Sequence, residues 1–266
     1  MPLGMDGSAD DEGAKGLAGL DAAGAAIFLD FDGVLVDIAE TPDAVRVDSA
    51  LPEMLDRLHA VAGGALAIVS GRAVESVRAF LPGFPGAIAG CHGAEIARPG
   101  AATERAVDPD PGQVRALQGL VEDIAASDPA YLAESKPTGA VLHYRRRPEL
   151  EGEAWRRLAE GLEAFEGFHI HRSKMAFEIR PDGASKGEAV AALMREAPFA
   201  GRRPVYLGDD ATDEPAFAVA NAEGGISVKI GEGETEARWR LPGVAEAHAA
   251  LGRLAGGAPA SSATEG

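Results

Sequence analysis

The sequence has almost no cysteine and no long hydrophobic run. Its single cysteine among 266 residues, Cys91, excludes an internal disulfide framework and a zinc site built from several thiolates. We therefore expect a reducing compartment, the cytoplasm. The longest apolar segments, such as GGALAIVSG, fall far short of the roughly 20 residues that a membrane-spanning helix needs. No membrane segment is predicted.

Basic residues are scarce relative to acidic ones. The chain has 25 Lys and Arg residues against 42 Asp and Glu residues, which gives a formal charge of -17. Such a charge repels the nucleic acid backbone and anionic membranes. We therefore expect neither as a partner, and we expect the protein to be a monomer.

The two ends of the chain have the composition of disordered segments. Residues 1–24 carry acidic residues and glycines where a secretory signal would carry a basic region and an apolar core. Residues 253–266 are small, polar and rich in Gly, Pro and Ser. We predict a disordered leader over 1–24 and a flexible tail over 253–266.

Short apolar strands alternate with segments of helical period after the leader. Helices are predicted over 49–62 and in AVESVRAFL. Three apolar runs are interpreted as buried strands: AAIFL (25–29), ALAIVS (65–70) and GAIAG (86–90). The βαβαβ order predicts an α/β fold with a parallel sheet and right-handed crossovers.

Residues 106–181 follow a different pattern. The Pro-rich and Gly-rich stretch 98–112 suits a domain boundary, and two αββ units follow it. The first pattern returns at RPDGASKGEAV, where Ser185 and Glu188 have capping-box spacing, and continues in PVYLG and GISVKIG. We predict a core domain over 25–105 and 182–252, with an α+β cap inserted over 106–181.

Acidic residues follow two of the predicted parallel strands. Asp30 and Asp32 close the first strand in AAIFLDFDGVL, and GDDATDE places Asp209, Asp210 and Asp213 after PVYL. Ligands of open α/β sheets bind beyond the carboxyl ends of the strands, so these side chains are expected at one edge. Clustered carboxylates repel each other unless a cation binds between them, and oxygen ligands without histidine or cysteine favour Mg²⁺. The five aspartates are the predicted metal site.

The same edge carries the groups that phosphoryl transfer requires. Asp30 is the expected nucleophile, forming an aspartyl-phosphate, and Asp32 is expected to protonate the leaving oxygen and then activate water. The nonbridging oxygens also need their charge neutralised. The candidates are the Ser70 hydroxyl, the Gly71 amide and Lys186, which comes from a helix N-terminus.

At this point the residues match a family pattern. DFDGVL, SGR, SKG and GDDATDE occur in this order and resemble the four motifs of the haloacid-dehalogenase-like (HAD) phosphohydrolases. Within that superfamily, GCHGAE, FEIRPDGASKG and GDDATDE are similar to the trehalose-6-phosphate phosphatase family. The resemblance spans about 25–250. It implies a Rossmann-like HAD core with a C2-type αββαββ cap, Mg²⁺ held by Asp30, the Asp32 carbonyl and Asp209, and hydrolysis of trehalose 6-phosphate to trehalose and phosphate.

The resemblance also implies sugar recognition, mainly by the cap. The expected substrate-binding residues are Arg72, His92, Glu95, Lys136, His143, Arg145, Lys174 and Glu178. A purely structural turn is the competing interpretation for His92 and Glu95. For the basic run that begins at Arg145, the competing interpretation is a solvated face.

One residue departs from the family pattern. Threonine is usual where Val34 stands in DFDGVL. The absent hydroxyl removes a hydrogen bond worth about 0.5 to 1.5 kcal/mol if the family makes it. The departure bears on the rate or the order of the loop and not on the nucleophile.

Two other functions stay open at this stage. One is a HAD phosphatase for another sugar phosphate, such as sucrose phosphate or mannosyl- or glucosyl-phosphoglycerate. The other is a noncatalytic sugar-phosphate sensor. The joint presence of Asp30, Asp32, Lys186 and Asp209 favours an enzyme, because a sensor needs no nucleophile and no acid.

Overall fold

The computed structural model describes residues 16–17, 19–39, 41, 44–173 and 175–256. Most of the predicted leader and tail lies outside these residues. The strands are β1 (Ala25–Leu29), β2 (Leu66–Val69), β3 (Ala87–Gly90), β4 (Glu95–Ala97), β5 (Glu104–Arg105), β6 (Leu132–Lys136), β7 (Gly139–His143), β8 (Phe168–Ser173), β9 (Ala176–Pro181), β10 (Arg203–Gly208), β11 (Ile226–Ile230) and β12 (Trp239–Leu241).

Seven α-helices connect these strands in the described part of the chain. They are α1 (Leu51–Val61), α2 (Val74–Phe80), α3 (Pro111–Ala125), α4 (Glu151–Leu162), α5 (Lys186–Leu193), α6 (Glu214–Ala222) and α7 (Val244–Leu254). Helix α5 begins where the sequence predicts, because the Ser185 hydroxyl accepts a hydrogen bond from the Glu188 N–H. Among the described residues, no helix is long and apolar enough to cross a membrane.

The larger sheet has eight strands in the order β12-β11-β10-β1-β2-β3-β4-β5. The strands from β12 to β3 are parallel, and β4 and β5 add antiparallel pairs at one edge. Strand β1 lies in the centre and is fully buried. Its side chains alternate between two apolar layers, with Ile27 facing α1 and α7 and Phe28 facing α5 and α6. This confirms the predicted α/β class with a parallel sheet.

The smaller sheet has four antiparallel strands in the order β6-β7-β9-β8. One face packs on α3 and α4 through an apolar cluster that includes Leu117, Leu158 and Phe177. Because side chains alternate along a strand, Glu178 projects from the opposite face. That face meets the larger sheet's carboxyl edge, since Lys136 and Glu178 contact residues that follow β2 and β3.

Three short strands are not predicted from the sequence. Strands β4, β5 and β12 have three, two and three residues, too few for an alternation to be recognised. Part of the 98–112 stretch, interpreted as a boundary, pairs as β5 with β4. The Pro and Gly residues there mark the turns of an antiparallel edge.

Candidate active site

The loop after β1 carries the first acidic pair. Asp30 is buried, and its Oδ1 accepts a hydrogen bond of 2.7 Å from the Phe31 N–H. Gly33 has a φ of +76°, and a Cβ atom there would lie 2.2 Å from Oδ2 of Asp209. A glycine is therefore required for this loop to approach the second acidic segment.

Lys186 lies between two aspartates at the start of α5. Its Nζ is 2.7 Å from Oδ2 of Asp30 and 2.7 Å from Oδ1 of Asp213, and its side chain is buried. Burial works against the ammonium charge, but Asp213 and Asp30 outweigh it and raise the pKa of Lys186. The lysine is a permanent cation beside the predicted nucleophile.

Asp213 organises the loop after β10. Its Oδ1 also accepts a 2.6 Å hydrogen bond from the Tyr206 hydroxyl, and its Oδ2 accepts from the N–H groups of Asp209 at 2.9 Å and Asp210 at 3.0 Å. Each oxygen has two donors, so this carboxylate folds the segment that presents the other acids. Asp210 accepts hydrogen bonds from the backbone N–H and the hydroxyl of Thr212.

Three predicted metal ligands come together. One carboxylate oxygen from each of Asp30, Asp209 and Asp213 lies within 4.8 Å of the other two. No described residue donates a hydrogen bond to the Asp209 carboxylate. Burial, followed by the charges of Asp210 and Asp213, raises the pKa of Asp209 to about 7. Burial also raises the pKa of Asp30.

The formal charge of this edge is negative. Lys229, buried on β11, adds a second ammonium that donates to the Asp209 carbonyl. Four carboxylates lie here with two ammonium groups, so the acidic groups outnumber the ammonium groups. The carboxylates are those of Asp30, Asp209, Asp210 and Asp213, and the ammonium groups are those of Lys186 and Lys229. A divalent cation with a preference for oxygen fits this donor set and its charge.

The predicted phosphate-binding residues follow β2. Ser70 is fully buried, and its Oγ accepts a 3.1 Å hydrogen bond from the Arg72 N–H. A Cβ atom at Gly71 would lie 2.5 Å from Nε2 of His92, so the imidazole needs a glycine there. The Gly71 carbonyl accepts a hydrogen bond from Lys136. The segment is thus in contact with both the core and the smaller sheet.

Asp32 is paired with Arg72. Nε of Arg72 is 2.7 Å from Oδ2 of Asp32, and Nη2 is 2.9 Å from Oδ1. The guanidinium carbon lies 5.5 Å from the ring centroid of Phe31 and 5.0 Å from that of Phe80. The predicted acid is therefore held in a two-pronged ion pair on an aromatic support.

His92 and Glu178 connect the two sheets. Cys91 and His92 have left-handed backbones, with φ of +49° and +53°, and Nε2 of His92 is 2.6 Å from Oε2 of Glu178. Burial lowers the pKa of His92, although Glu178 opposes this. Burial tends to raise the pKa of Glu178, but His92 and Lys136 outweigh it and lower that pKa. The contact between the imidazole and the carboxylate joins the loop after β3 to β9.

The other predicted substrate residues have varied positions. His143 lies 2.9 Å from Glu134 through Nε2, and Arg145 is partly buried after β7. Glu95 faces α2, where it accepts from the Val74 N–H at 3.2 Å and contacts the Cys91 thiol. Burial raises the pKa of that thiol to about 12. Lys174 lies outside the described residues.

Four polar residues near the site were missed in the sequence. Glu134 lies two positions before Lys136 on the same side of β6, and this alternation is a usable signal. Lys229 interrupts the apolar strand ISVKI, as Tyr206 does in PVYLG. Arg180 is buried beside Glu178, and its Nε has no partner among the described residues.

Val34 faces the apolar core. Its side chain is fully buried in a cluster with Phe31 and Leu35. Backbone hydrogen bonds from Leu35 and Val36 to the Phe31 carbonyl close the loop. The loop thus keeps its order without a hydroxyl at residue 34.

Three comparisons relate the chain to known proteins. The trehalose-phosphatase family model matches residues 28–245. The trehalose-6-phosphate phosphatase of Escherichia coli K12 is 41% identical over 218 residues, which are 82% of this chain and 81% of that protein. The crystal structure of a trehalose-6-phosphate phosphatase related protein has a TM-score of 0.71 at 27% identity, covering 86% of this chain and 96% of the other. A haloacid dehalogenase-like hydrolase from Bacteroides thetaiotaomicron shares the fold, with a TM-score of 0.62 at 16% identity over 86% and 98% of the two chains.

Proposed function

Since this chain belongs to the trehalose-phosphatase family, we propose that it is a Mg²⁺-dependent phosphatase that hydrolyses trehalose 6-phosphate to trehalose and phosphate. The observation that carries the proposal is the contact of buried Asp30 with Lys186 beside Asp209. A carboxylate, a fixed cation and a second carboxylate at one sheet edge are what phosphoryl transfer to an aspartate needs.

The first step transfers the phosphoryl group to Asp30. A carboxylate oxygen of Asp30 forms a bond to phosphorus while the bond from phosphorus to the sugar oxygen breaks. Asp32 gives its proton to that oxygen, and trehalose leaves. Lys186, the Ser70 hydroxyl and the Gly71 amide offset the charge on the nonbridging oxygens.

The second step hydrolyses the aspartyl-phosphate. Asp32, now a carboxylate, takes a proton from water, and the oxygen of that water bonds to phosphorus. The bond between phosphorus and Asp30 breaks, which restores the Asp30 carboxylate and releases phosphate. Asp32 regains its proton, so both aspartates return to their starting states.

The Asp30 and Asp209 carboxylates are proposed to hold Mg²⁺, with the Asp32 carbonyl as a third ligand. The excess of carboxylates and the closeness of Asp209 to Asp30 support this assignment. A bound Mg²⁺ would supply charge neutralisation at the phosphate. Asp213 contributes by holding the backbone of Asp209 and Asp210, because its own oxygens are occupied by four donors.

Residues 106–181 are proposed to form a cap that recognises the sugar. Glu178, Lys136, Glu134 and His143 form a connected polar group on the β6, β7 and β9 strands. Carboxylates on this face can accept hydrogen bonds from sugar hydroxyls. The contact between Glu178 and His92 joins this face to the core, so the sugar would bind where the two parts meet.

A panel of sugar phosphates tests the proposal. Phosphate release is measured with Mg²⁺ or with EDTA for trehalose 6-phosphate, sucrose phosphate, glucose 6-phosphate and mannosyl- and glucosyl-phosphoglycerate. We expect the fastest release from trehalose 6-phosphate and none with EDTA. Faster release from another compound would replace the substrate and keep the chemistry. Tight binding of trehalose 6-phosphate without any release would favour a sensor.

A further inference from the structure

We propose that Arg72 is a positioning residue that acts through Asp32 and not through the substrate. The inference rests on the proposed function, in which Asp32 exchanges a proton with the leaving oxygen and with water. It assigns to the arginine of the SGR motif a different role from the sugar contact that the resemblance implies.

The geometry of the pair is specific. Nε and Nη2 of Arg72 are directed at different oxygens of Asp32, at 2.7 Å and 2.9 Å, from a position 40 residues along the chain. A planar guanidinium fixes both the place and the plane of a carboxylate when it binds it in this way. A lysine ammonium at the same place would fix the distance but not the plane.

Arg72 is itself held at both ends. Its side chain is only 13% exposed and lies against the rings of Phe31 and Phe80. Its backbone N–H donates to Ser70 Oγ, and its carbonyl accepts from the Cys91 N–H. The arginine therefore joins the loop after β2 rigidly to the loop after β1.

Asp32 needs such a support. Its side chain is 34% exposed and is not one of the three clustered carboxylates at the metal site. Without Arg72 it would have several open rotamers, and each misplaced rotamer would lower the fraction of bound substrate that can react. When Asp32 is protonated on one oxygen, that O–H can turn to the leaving group and give up its proton there, while the other oxygen keeps its contact to Arg72.

The test compares substrates with different leaving groups. Trehalose leaves as a poor leaving group that needs the proton of Asp32, whereas the phenolate of p-nitrophenyl phosphate leaves without one. We expect Arg72→Met to lower kcat and kcat/KM for trehalose 6-phosphate by about 10- to 100-fold, with a KM change below about threefold. A misplaced acid forfeits only part of the roughly 10²- to 10⁴-fold that positioned acid–base catalysis provides. In kcat/KM, which reports the steps up to departure of the leaving group, the loss on p-nitrophenyl phosphate is expected to be at least tenfold smaller. The water activation by Asp32 that both substrates share comes after that point and enters kcat alone. Arg72→Lys should fall between wild type and Arg72→Met.

A double-mutant cycle separates the role of Arg72 from a direct one. In the Asp32→Asn background, Arg72→Met should lower kcat for trehalose 6-phosphate by less than about twofold, because the group through which it acts is gone. Arg78→Met, a partly buried arginine on α2 that pairs with Glu75, is the matched control and should match wild type. Circular dichroism and thermal unfolding of each variant confirm folding.

The outcomes distinguish this inference from the proposed function. Equal losses of kcat/KM on both substrates, or a further tenfold loss in the Asp32→Asn background, would overturn the inference and leave the phosphatase intact. A large rise in KM with unchanged kcat would make Arg72 a substrate ligand instead. If Asp32→Asn is as active as wild type, the acid role fails, and the inference fails with it. If another sugar phosphate is preferred, the same cycle is run on that compound.

Discussion

Nζ of Lys186 lies 2.7 Å from Oδ2 of Asp30, and neither side chain is more than 5% exposed. The two residues come from the first turn of α5 and the end of β1, 156 positions apart in the sequence, since 186 - 30 = 156. Their contact also includes Asp213 and therefore links the nucleophile to the loop that carries the other acids. Stability and catalysis are expected to depend on the same lysine.

Lys186→Met is expected to lower both activity and stability. The substitution leaves Asp30 and Asp213 buried without their cation, which should reduce the free energy of unfolding by about 3 to 5 kcal/mol. Phosphate release should fall by at least about 100-fold. Urea unfolding and steady-state kinetics measure the two effects. Adding Asp30→Asn to Lys186→Met should restore part of the stability, because one of the two unpaired carboxylates is then removed. If Lys186→Met alone were as stable as wild type, the charge argument would be refuted.

Asp209→Asn and Asp213→Asn are expected to have opposite effects on the metal-free protein. Asp209 is repelled by its neighbours, so its substitution should leave the free energy of unfolding equal or higher while removing activity. Asp213 accepts four hydrogen bonds, and its substitution should cost at least about 2 kcal/mol. Unfolding in EDTA tests the order of the two variants. If Asp209→Asn were the less stable variant and Asp213→Asn were as stable as wild type, the assignments would be reversed. Asp209 would then hold the loop, and Asp213 would be the metal ligand.

The pH dependence of stability should report on His92. Burial lowers its pKa in the folded state, so the folded protein takes up a proton at lower pH than the unfolded chain does. The contribution of His92 to the free energy of unfolding is complete above the ordinary pKa of 6.5. It is lost as the pH falls below that value, by at most about 1.4 kcal/mol per pH unit. Among the described residues, the charged groups that act on the ring include Glu178, Arg180, Lys186 and Asp210, and the His171 imidazole also interacts with it.

His92→Asn is the variant that isolates this effect. Asparagine tolerates the left-handed backbone at residue 92 and keeps a donor for Glu178. Between pH 7.5 and pH 5.5, wild type should lose more stability than His92→Asn does. Equal losses in both proteins would show that the histidine does not carry the pH dependence.

Glu178→Gln is expected to weaken substrate binding selectively. The residue contacts His92 and Lys136 and is the centre of the polar face proposed to bind the sugar. We expect KM for trehalose 6-phosphate to rise by about 10-fold or more, as removal of a buried charged hydrogen-bond partner does. KM for p-nitrophenyl phosphate should change much less. The exposed Glu160→Gln on α4 serves as the control. An equal rise of KM in Glu160→Gln, or an equal rise of KM for both substrates in Glu178→Gln, would count against a sugar contact.

The parts of the fold that the sequence predicts are those with a local signal. Strand β1 is a run of five buried residues, and α1 keeps its apolar side at helical spacing, so both are read directly from the pattern. Strand β5 has two exposed residues and forms only because β4 lies beside it. Edge pairing of this kind has no local signature. The expected monomer and cytoplasmic compartment stay predictions.

The candidate site divides in the same way. Asp30, Lys186 and Asp209 are found from motifs, because each stands at the end or start of a recognisable element. The pairing of Asp32 with Arg72 could not be predicted, since it depends on how two loops 40 residues apart approach each other. Glu95 is similar: the sequence suggests a sugar contact, whereas its carboxylate faces the N-terminus of α2.

Trapping of the phosphorylated enzyme tests the central claim most directly. During turnover of trehalose 6-phosphate with Mg²⁺, borohydride reduces an acyl phosphate to an alcohol, and peptide mass spectrometry locates the changed residue. The account predicts that residue 30 alone is converted to homoserine, and only when substrate is present. Consumption of trehalose 6-phosphate with Asp30 unmodified, or modification of Asp209 in its place, would contradict it.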